Sequence, residues 1–356
     1  MKISTIKLQE MVSKIFAGMG NNKLIPITQY VQLEVKDNIF TISATDATNY
    51  IYVKEAVETE DFYVVVDGNL FIQLINRMTC ENVDLTLTDN CLIIKGNGEY
   101  KLDIQLDEEG QRVKFPEVLP ENYAEKDSKS ISKETIVKIL NTNKAALATT
   151  LEIPCYTGYY FGKDVISTDT YKICALDMNV FDEPMLISAT VMELLKVITE
   201  DNISVYKIDD VIIWETPTTI IFSRELQGIE NYQIDAITNL VNSDMENSCE
   251  INKSQLLNML DRLSLFVSPY DQNNVRLQFT KEGIICTSKQ SNGSELIPYV
   301  DKGNEHKEFI CLIDIVMLQS QIKAIPKDTF ELFYGATNAI KICCEDVTQI
   351  ISLNEE

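Results

Sequence analysis

The sequence predicts an α+β fold in which one module of helices and antiparallel strands is built three times over. Three observations predict it. An amphipathic helical word opens each third: "STIKLQEMVSKIF" from Ser4, "SKETIVKILNTNK" from Ser132 and "NKSQLLNMLDRLS" from Asn252. A second helical word follows in "GNLFIQLINRM" (68–78), "SATVMELLKVIT" (188–199) and "IDIVMLQSQIKAI" (313–325). Strand pairs precede and follow it, as in "VQLEVKDNIFTISATD" and "ENVDLTLTDNCLIIKG". Self-similarity at a fixed period marks a repeated structural module.

The first helices are justified by apolar spacing of three and four residues, which places one stripe on a helix face. Leu8, Met11, Val12 and Ile15 form the stripe in the first third, Ile136, Ile139 and Leu140 in the second, and Leu256, Met259, Leu260 and Leu263 in the last. Each stripe follows a small polar or Asn opener, the residue type that caps a helix start. The strands are read from alternation: Val83, Leu85 and Leu87, then Leu92 to Ile94, make a hairpin turned at Asp89-Asn90. Polar stretches poor in large apolar residues, "ENYAEKDSKS" (121–130) and "NSDMENS" (242–248), set the boundaries. Three domains are expected, 1–126, 127–247 and 248–356.

A Thr-Asp pair closes a strand at Thr45-Asp46 and again 123 residues on at Thr168-Asp169. An Asx turn accounts for it, the carboxylate accepting backbone N–H groups two residues ahead. A metal ligand or catalytic acid is the rival, and the last third weakens it by having Thr287-Ser288 at that place, with no carboxylate.

Composition bounds the function. The 356 residues carry 54 acidic and 31 basic side chains, a formal net charge of −23, which on its face opposes binding to nucleic acid. Nine scattered cysteines, odd in number and without a CxxC, suit free thiols in a reducing compartment better than disulfides or a metal. The opening "MKISTIKLQEMVSKIF" is interrupted by Lys7, Glu10 and Lys14, and no apolar stretch reaches 18 residues, so a soluble, cytoplasmic protein is expected. The sole histidine, His306, lies in "DKGNEHKEF" without an evident triad partner, and no GxxxxGK[ST] is present, so neither triad chemistry nor ATP hydrolysis is expected. No cofactor or metal is implied.

Across essentially its whole length the sequence resembles the bacterial-type DNA sliding clamp, the beta subunit of DNA polymerase III. The matching words, in order, are "MKI", "LIPITQYVQLEV" with "ISATD", "VKFPEV" (113–118), "STDTYKICA" (167–175), "FSRELQGIENY" (222–232), "LLNMLDRLSLF" and "NNVRLQF". The resemblance implies three clamp domains per chain, closed head to tail into a homodimeric ring that encircles duplex DNA, non-catalytically, and tethers a polymerase. A separate loader would have to open such a ring. The divergence of this chain from the family pattern hints at a phage or mobile-element version.

An acidic chain is compatible with that reading if its charge is segregated. The six helical words (6–19, 67–78, 132–149, 188–199, 252–267, 312–325) carry +4 together and leave −27 for the remainder. A sheet layer about 10 Å behind the helices separates much of that charge from the bore, against a Debye length of about 8 Å at physiological salt. The candidates to face DNA are Lys7 and Lys14, seven apart on one helix face, with Lys23, Arg77, Lys138, Lys144, Lys196, Arg262 and Lys323. Ordinary solvated surface lysines are the plain alternative for each. Arg77 and Lys196 align with basic positions of the family's second helices.

The resemblance also implies a groove for short partner peptides with apolar anchors. By position it comprises Tyr156, Thr168, Tyr171, Lys172, Ile173 and Ile237 with Ile350, Ile351 and Leu353. Thr170-Tyr171-Lys172 stands where the family often has Gly-His-Arg, and "IISLNEE" replaces its usual C-terminal Met and Pro, so a different peptide preference is expected. The implied dimer seam lies along "YKLDIQL" (100–106), with Leu102, Ile104 and Leu106 meeting Leu265 and Phe266. Two rivals remain: a metal-dependent phosphodiesterase using Asp46 and Asp169, and a clamp-like scaffold that binds proteins without encircling DNA.

Overall fold

A computed structural model describes residues 1–288, 292–302, 308–335 and 338–354. His306 lies outside the described residues. The chain divides into two compact units, Met1–Ile136 with Thr190–Glu225, and Val137–Ala189 with Leu226–Glu356. The middle third of the sequence contributes to both. The described residues form seven α-helices: α1 (Thr5–Ala17), α2 (Gly68–Asn76), α3 (Lys133–Asn143), α4 (Ala189–Leu194), α5 (Ile234–Val241), α6 (Lys253–Leu263) and α7 (Ile315–Ala324). Among the described residues every strand pair is antiparallel.

In the first unit an eight-stranded sheet runs in the order Phe62–Asp67, Tyr30–Lys36, Ile39–Thr45, Tyr50–Ala56, Thr219–Arg224, Val211–Glu215, Asn202–Ile208 and Lys129–Ser132. A four-stranded sheet joins Lys2–Ser4, Asn82–Leu87, Cys91–Lys95 and Glu99–Asp103. The helix α1 packs on α2 and on the strands Ile39–Thr45 and Tyr50–Ala56. It buries Leu8, Met11, Val12 and Ile15, the stripe read from spacing.

The second unit repeats the plan. Nine strands run Met185–Ser188, Gly158–Phe161, Val165–Thr168, Lys172–Leu176, Val347–Ser352, Ala339–Cys344, Thr329–Tyr334, Asn247–Asn252 and Val300–Asp301. Beside them a four-stranded sheet orders Ser294–Ile297, Gly283–Ser288, Asn274–Thr280 and Phe309–Asp314. The core gathers Leu256, Met259, Leu260 and Leu263 from α6 with Leu318 and Ile322 from α7.

Two strand joins have the same construction. Where Tyr50–Ala56 meets Thr219–Arg224, the Lys54 N–H donates to the Thr218 carbonyl at 2.7 Å. Where Lys172–Leu176 meets Val347–Ser352, the Asp177 N–H donates to the Asp346 carbonyl at 2.8 Å. The second join lies 123 residues on from the first on one side and 128 on the other, close to the period of the sequence repeat. The counterparts of these strands at the two ends of the chain, Ser294–Ile297 and Glu99–Asp103, are both sheet edges among the described residues.

Local chemistry explains several helix ends. Asp67 caps α2 through the Leu70 N–H at 2.7 Å, and Asp314 caps α7 through Val316 and Met317 at 2.7 and 3.0 Å. Ser132 and Asn252 accept from Thr135 and Gln255 at the starts of α3 and α6, whereas Ser4 makes no side-chain cap bond. The expected helix 132–149 is cut at Asn143, whose buried amide donates to the carbonyls of Val165 and Cys174 and ends the α-helical run there. Only the short 3₁₀ turn Lys144–Ala146 follows. Likewise 188–199 shortens to α4 plus the 3₁₀ turn Leu195–Val197, 252–267 to α6 plus Ser264–Phe266, and 312–325 starts at Ile315 because its first residues belong to the strand Phe309–Asp314.

Candidate functional site

The Thr-Asp turns are near copies. Asp46 Oδ1 accepts the Thr48 and Asn49 N–H groups at 2.8 and 2.7 Å, and Ala47 between them has φ +82°. Asp169 Oδ1 accepts Tyr171 and Lys172 at 3.0 and 2.7 Å, and Thr170 has φ +79°. Thr45 and Thr168 each donate a hydroxyl across the turn, to Asn49 and Lys172 carbonyls at 2.7 Å. Both carboxylates are therefore spent on holding the chain. In the last third Ser288 Oγ takes the carboxylate's place, accepting Asn292 and Gly293 at 3.1 Å.

The Asp169 turn delivers its strand to a cluster within the second unit. Ile173 faces Ile350 in the register of Lys172–Leu176 against Val347–Ser352, and the Ser352 N–H donates to the Tyr171 carbonyl at 2.9 Å. Tyr156, Tyr160, Tyr232 and Ile237 complete the buried cluster with them. Tyr232 stacks on Tyr160 and meets Tyr156 edge-on, both at 5.0 Å between ring centres. Its hydroxyl donates to the Ile166 carbonyl at 3.3 Å. Burial first, and the neighbouring tyrosines and Cys155 after it, hold that hydroxyl well above the usual phenol range.

Of the nine residues expected in a groove, the structure brings together Tyr156, Ile173, Ile237 and Ile350 in this cluster, with Tyr171 beside it and 59% exposed. Thr168 is buried and its hydroxyl belongs to the turn. Lys172 donates to the Ala145 carbonyl at 2.7 Å and lies 3.2 Å from Asp169, so it fixes the loop and does not reach outward. Ile351 and Leu353 belong instead to the core that α6 and α7 cover. Adjacent strand residues point to opposite faces, so Ile350 and Ile351 cannot line one surface.

Sequence reading missed α5. Its eight residues lie just before the polar boundary 242–248, and Gln233 before it gives no cap bond. Lys341 supports its far end, donating to the carbonyls of Val241 at 3.4 Å and Ser243 at 2.6 Å. Tyr160, Tyr232 and the exposed Leu151 and Ile153 were missed too.

The nine basic residues fall into two groups. Lys7 lies 3.3 Å from Glu55 and 4.0 Å from Glu10, Lys196 is 2.5 Å from Glu193, Lys138 pairs with Asp346, and Arg262 with Glu295. Lys14, whose side chain is 13% exposed, donates to the Thr218 and Thr219 hydroxyls at 3.2 Å and stands 3.6 Å from Glu200. Lys23, Arg77, Lys144 and Lys323 are exposed. Arg77 reaches Gln73 at 3.4 Å.

A cleft of about 820 Å³ runs along α1 and takes in Lys7, Lys14 and Lys54 together with Glu10, Glu55 and Glu200. Equal numbers of ammonium and carboxylate groups make it a poor phosphate cradle. Burial raises the Glu200 carboxyl, but the Thr218 hydroxyl, a backbone N–H, the Thr216 hydroxyl and Lys14 outweigh it and bring it down to about 2.

The seam residues also divide. Leu102 and Ile104 are buried within the first unit, and Leu106 is 57% exposed. Leu265 and Phe266, on the turn after α6, are 80% and 49% exposed.

Comparison with known proteins agrees with this architecture. Residues 1–112 match the family model of the DNA polymerase III beta subunit, N-terminal domain. Among curated proteins no sequence matches. The fold is shared with the DNA polymerase III beta subunit of Thermotoga maritima at 14% identity and a TM-score of 0.86, over 100% of this chain and 99% of that one. It is shared equally with the DNA polymerase sliding clamp of Bacillus subtilis, at 18% identity and a TM-score of 0.86, over 100% and 98%. For the beta subunit of Pseudomonas aeruginosa the identity is 13%, the TM-score 0.86 and the coverage 100% and 99%. Residues 1–112 therefore match the DNA polymerase III beta subunit, N-terminal domain, and the whole length of the chain has the fold of those solved beta subunits.

Proposed function

We propose that the chain is a DNA sliding clamp: three domains (1–126, 127–247, 248–356) per copy, two copies closed head to tail into a ring around duplex DNA. One observation carries the proposal. The join between Tyr50–Ala56 and Thr219–Arg224 is remade between Lys172–Leu176 and Val347–Ser352, and the strands due to make it a third time are edges of the chain's own sheets. A second copy supplies the missing partner for each, Ser294–Ile297 meeting Glu99–Asp103, and the heterologous contact closes after two copies. Leu106, Leu265 and Phe266 then lose their exposure in the seam.

In this reading the ring holds DNA by enclosure. Lys23, Arg77, Lys144 and Lys323 supply a thin basic lining, and weak contact suits movement along the duplex. The surface around Tyr171 and Ile173 receives apolar anchors of polymerase and loader peptides. The ring is non-catalytic in this reading, and the Asx turns, which use Asp46 and Asp169, weigh against a metal-dependent rival.

The ion pairs favour a second reading. With Lys7, Lys14, Lys138, Lys196 and Arg262 each beside a carboxylate, five of the nine expected DNA contacts are partly neutralised, as in a scaffold that binds proteins alone. Retention on a nicked circular plasmid distinguishes the two. A sliding clamp stays on the circle after loading and is released when the plasmid is linearised; equal loss from both forms supports the scaffold.

A further inference from the structure

The surface over the Tyr156, Tyr160 and Tyr232 cluster joins exposed apolar side chains to a one-sided charge. Tyr171 stands exposed beside it, and Leu151 and Ile153 are exposed on the segment leading into Tyr156. The segments that build it carry three exposed carboxylates, Glu152 beside Leu151, Glu230 on the turn Ile229–Asn231, and Asp235 in the first turn of α5. Two of them act directly on the cluster. The Cys155 thiol is raised by burial and also by the Glu230 charge, and the Tyr160 hydroxyl by burial and then by Asp235.

The ammonium groups of the same segments do not balance these acids. Lys172 is drawn in by the Ala145 carbonyl and Asp169, and Lys341 by the carbonyls at the end of α5. Even with the exposed Lys144 counted, carboxylates outnumber cations that face solvent. Such a surface attracts positive charge to an apolar floor, where a guanidinium also gains from the exposed Tyr171 ring. A peptide with acidic flanks would be repelled by the same carboxylates.

We propose that the segment received here is short and basic, two adjacent apolar side chains seated on the tyrosine cluster with Lys or Arg flanks facing Glu152, Glu230 and Asp235. The proposal rests on reading this surface as the partner groove and adds the chemistry of what it selects.

The test uses the full chain and three fluorescein-labelled octapeptides that share a Leu-Leu centre and differ only in flanks of Arg, Gly or Glu. Fluorescence anisotropy at low salt should give the Arg peptide about tenfold tighter binding than the Gly peptide, with the Glu peptide weakest, and high salt should collapse the order. The triple variant E152Q/E230Q/D235N should bring the Arg peptide to the level of the Gly peptide and leave the Gly peptide unchanged, which also certifies its fold. Equal binding of all three peptides, or an Arg preference that survives the triple variant, overturns the charge proposal and leaves the groove standing. Failure of all three to bind overturns both.

Discussion

The Lys14 ammonium stands 3.6 Å from the Glu200 carboxylate, which also takes the hydroxyl protons of Thr216, at 3.0 Å, and Thr218. This knot ties α1 to the strand pair Val211–Glu215 and Thr219–Arg224, and it needs Glu200 ionised. The carboxyl is lowered in the folded chain from 4.5 to about 2. Its stabilising contribution is therefore complete above the unfolded value and is lost as pH falls from about 4.5 towards about 2. Glu200→Gln should lower stability at pH 7 by about 1–3 kcal/mol and flatten the acid limb of a stability–pH curve. Urea unfolding at pH 7 and pH 3 checks it, and an unchanged acid limb in the variant would refute the role of this carboxylate.

The two Asx turns put a non-glycine residue in the left-handed region, Ala47 at φ +82° and Thr170 at φ +79°. Glycine removes the Cβ conflict there while adding freedom to the unfolded chain, so Ala47→Gly and Thr170→Gly should each change stability by less than about 1 kcal/mol. Asp169→Ala should cost more, about 1–2 kcal/mol, because the N–H groups of Tyr171 and Lys172 lose their acceptor. Thermal midpoints of the three variants provide the comparison; a glycine variant that is hurt more than the alanine one contradicts the assignment of strain.

Trp214, the only tryptophan, is fully buried, and its indole N–H donates to the Ser223 hydroxyl at 3.1 Å, which in turn donates to the Ile212 carbonyl at 3.1 Å. Its emission should be blue-shifted in the native chain and should report on unfolding of the first unit. Ser223→Ala leaves the indole N–H without this acceptor and should cost about 1–3 kcal/mol. A chevron or equilibrium curve followed at the tryptophan emission would show it, and wild-type stability in this variant would mean the hydroxyl is dispensable.

Leu265 and Phe266 present apolar surface that the proposed seam covers. Leu265→Glu with Phe266→Glu should leave the circular dichroism spectrum unchanged, since neither side chain supports its own core, and should shift native mass from two copies to one. If the doubly substituted chain still runs as a dimer, the seam lies elsewhere.

The helices and strands that recur were legible because burial imposes a period on the sequence, and Leu8 to Ile15 or Leu256 to Leu263 show it directly. The Asx turns were legible for a local reason, a carboxylate two residues ahead of the N–H it binds. Contacts between distant segments left no such trace. Lys138 meets Asp346 across 208 positions, and Lys14 meets Thr218 across 204, so nothing in "MVSKIF" marks that lysine as tied down. Of the residues expected in a groove, half were legible: alternation within "TQIISL" places Ile350 and Ile351 on opposite faces, which the positional resemblance overlooked. The helix α5 escaped because eight residues with only Ile237 fully buried give a weak stripe.

The edge strand Glu99–Asp103 offers Glu99, Lys101 and Asp103 along its length, and Ser294–Ile297 offers Glu295. Open borders of this kind invite indiscriminate strand addition, the route to aggregation, and charged side chains are a deterrent to strangers. Only a neighbour whose own border interleaves with that sequence of charges can approach without penalty. In the proposed ring, the residues that discourage stray strand addition are also the ones that select the second copy.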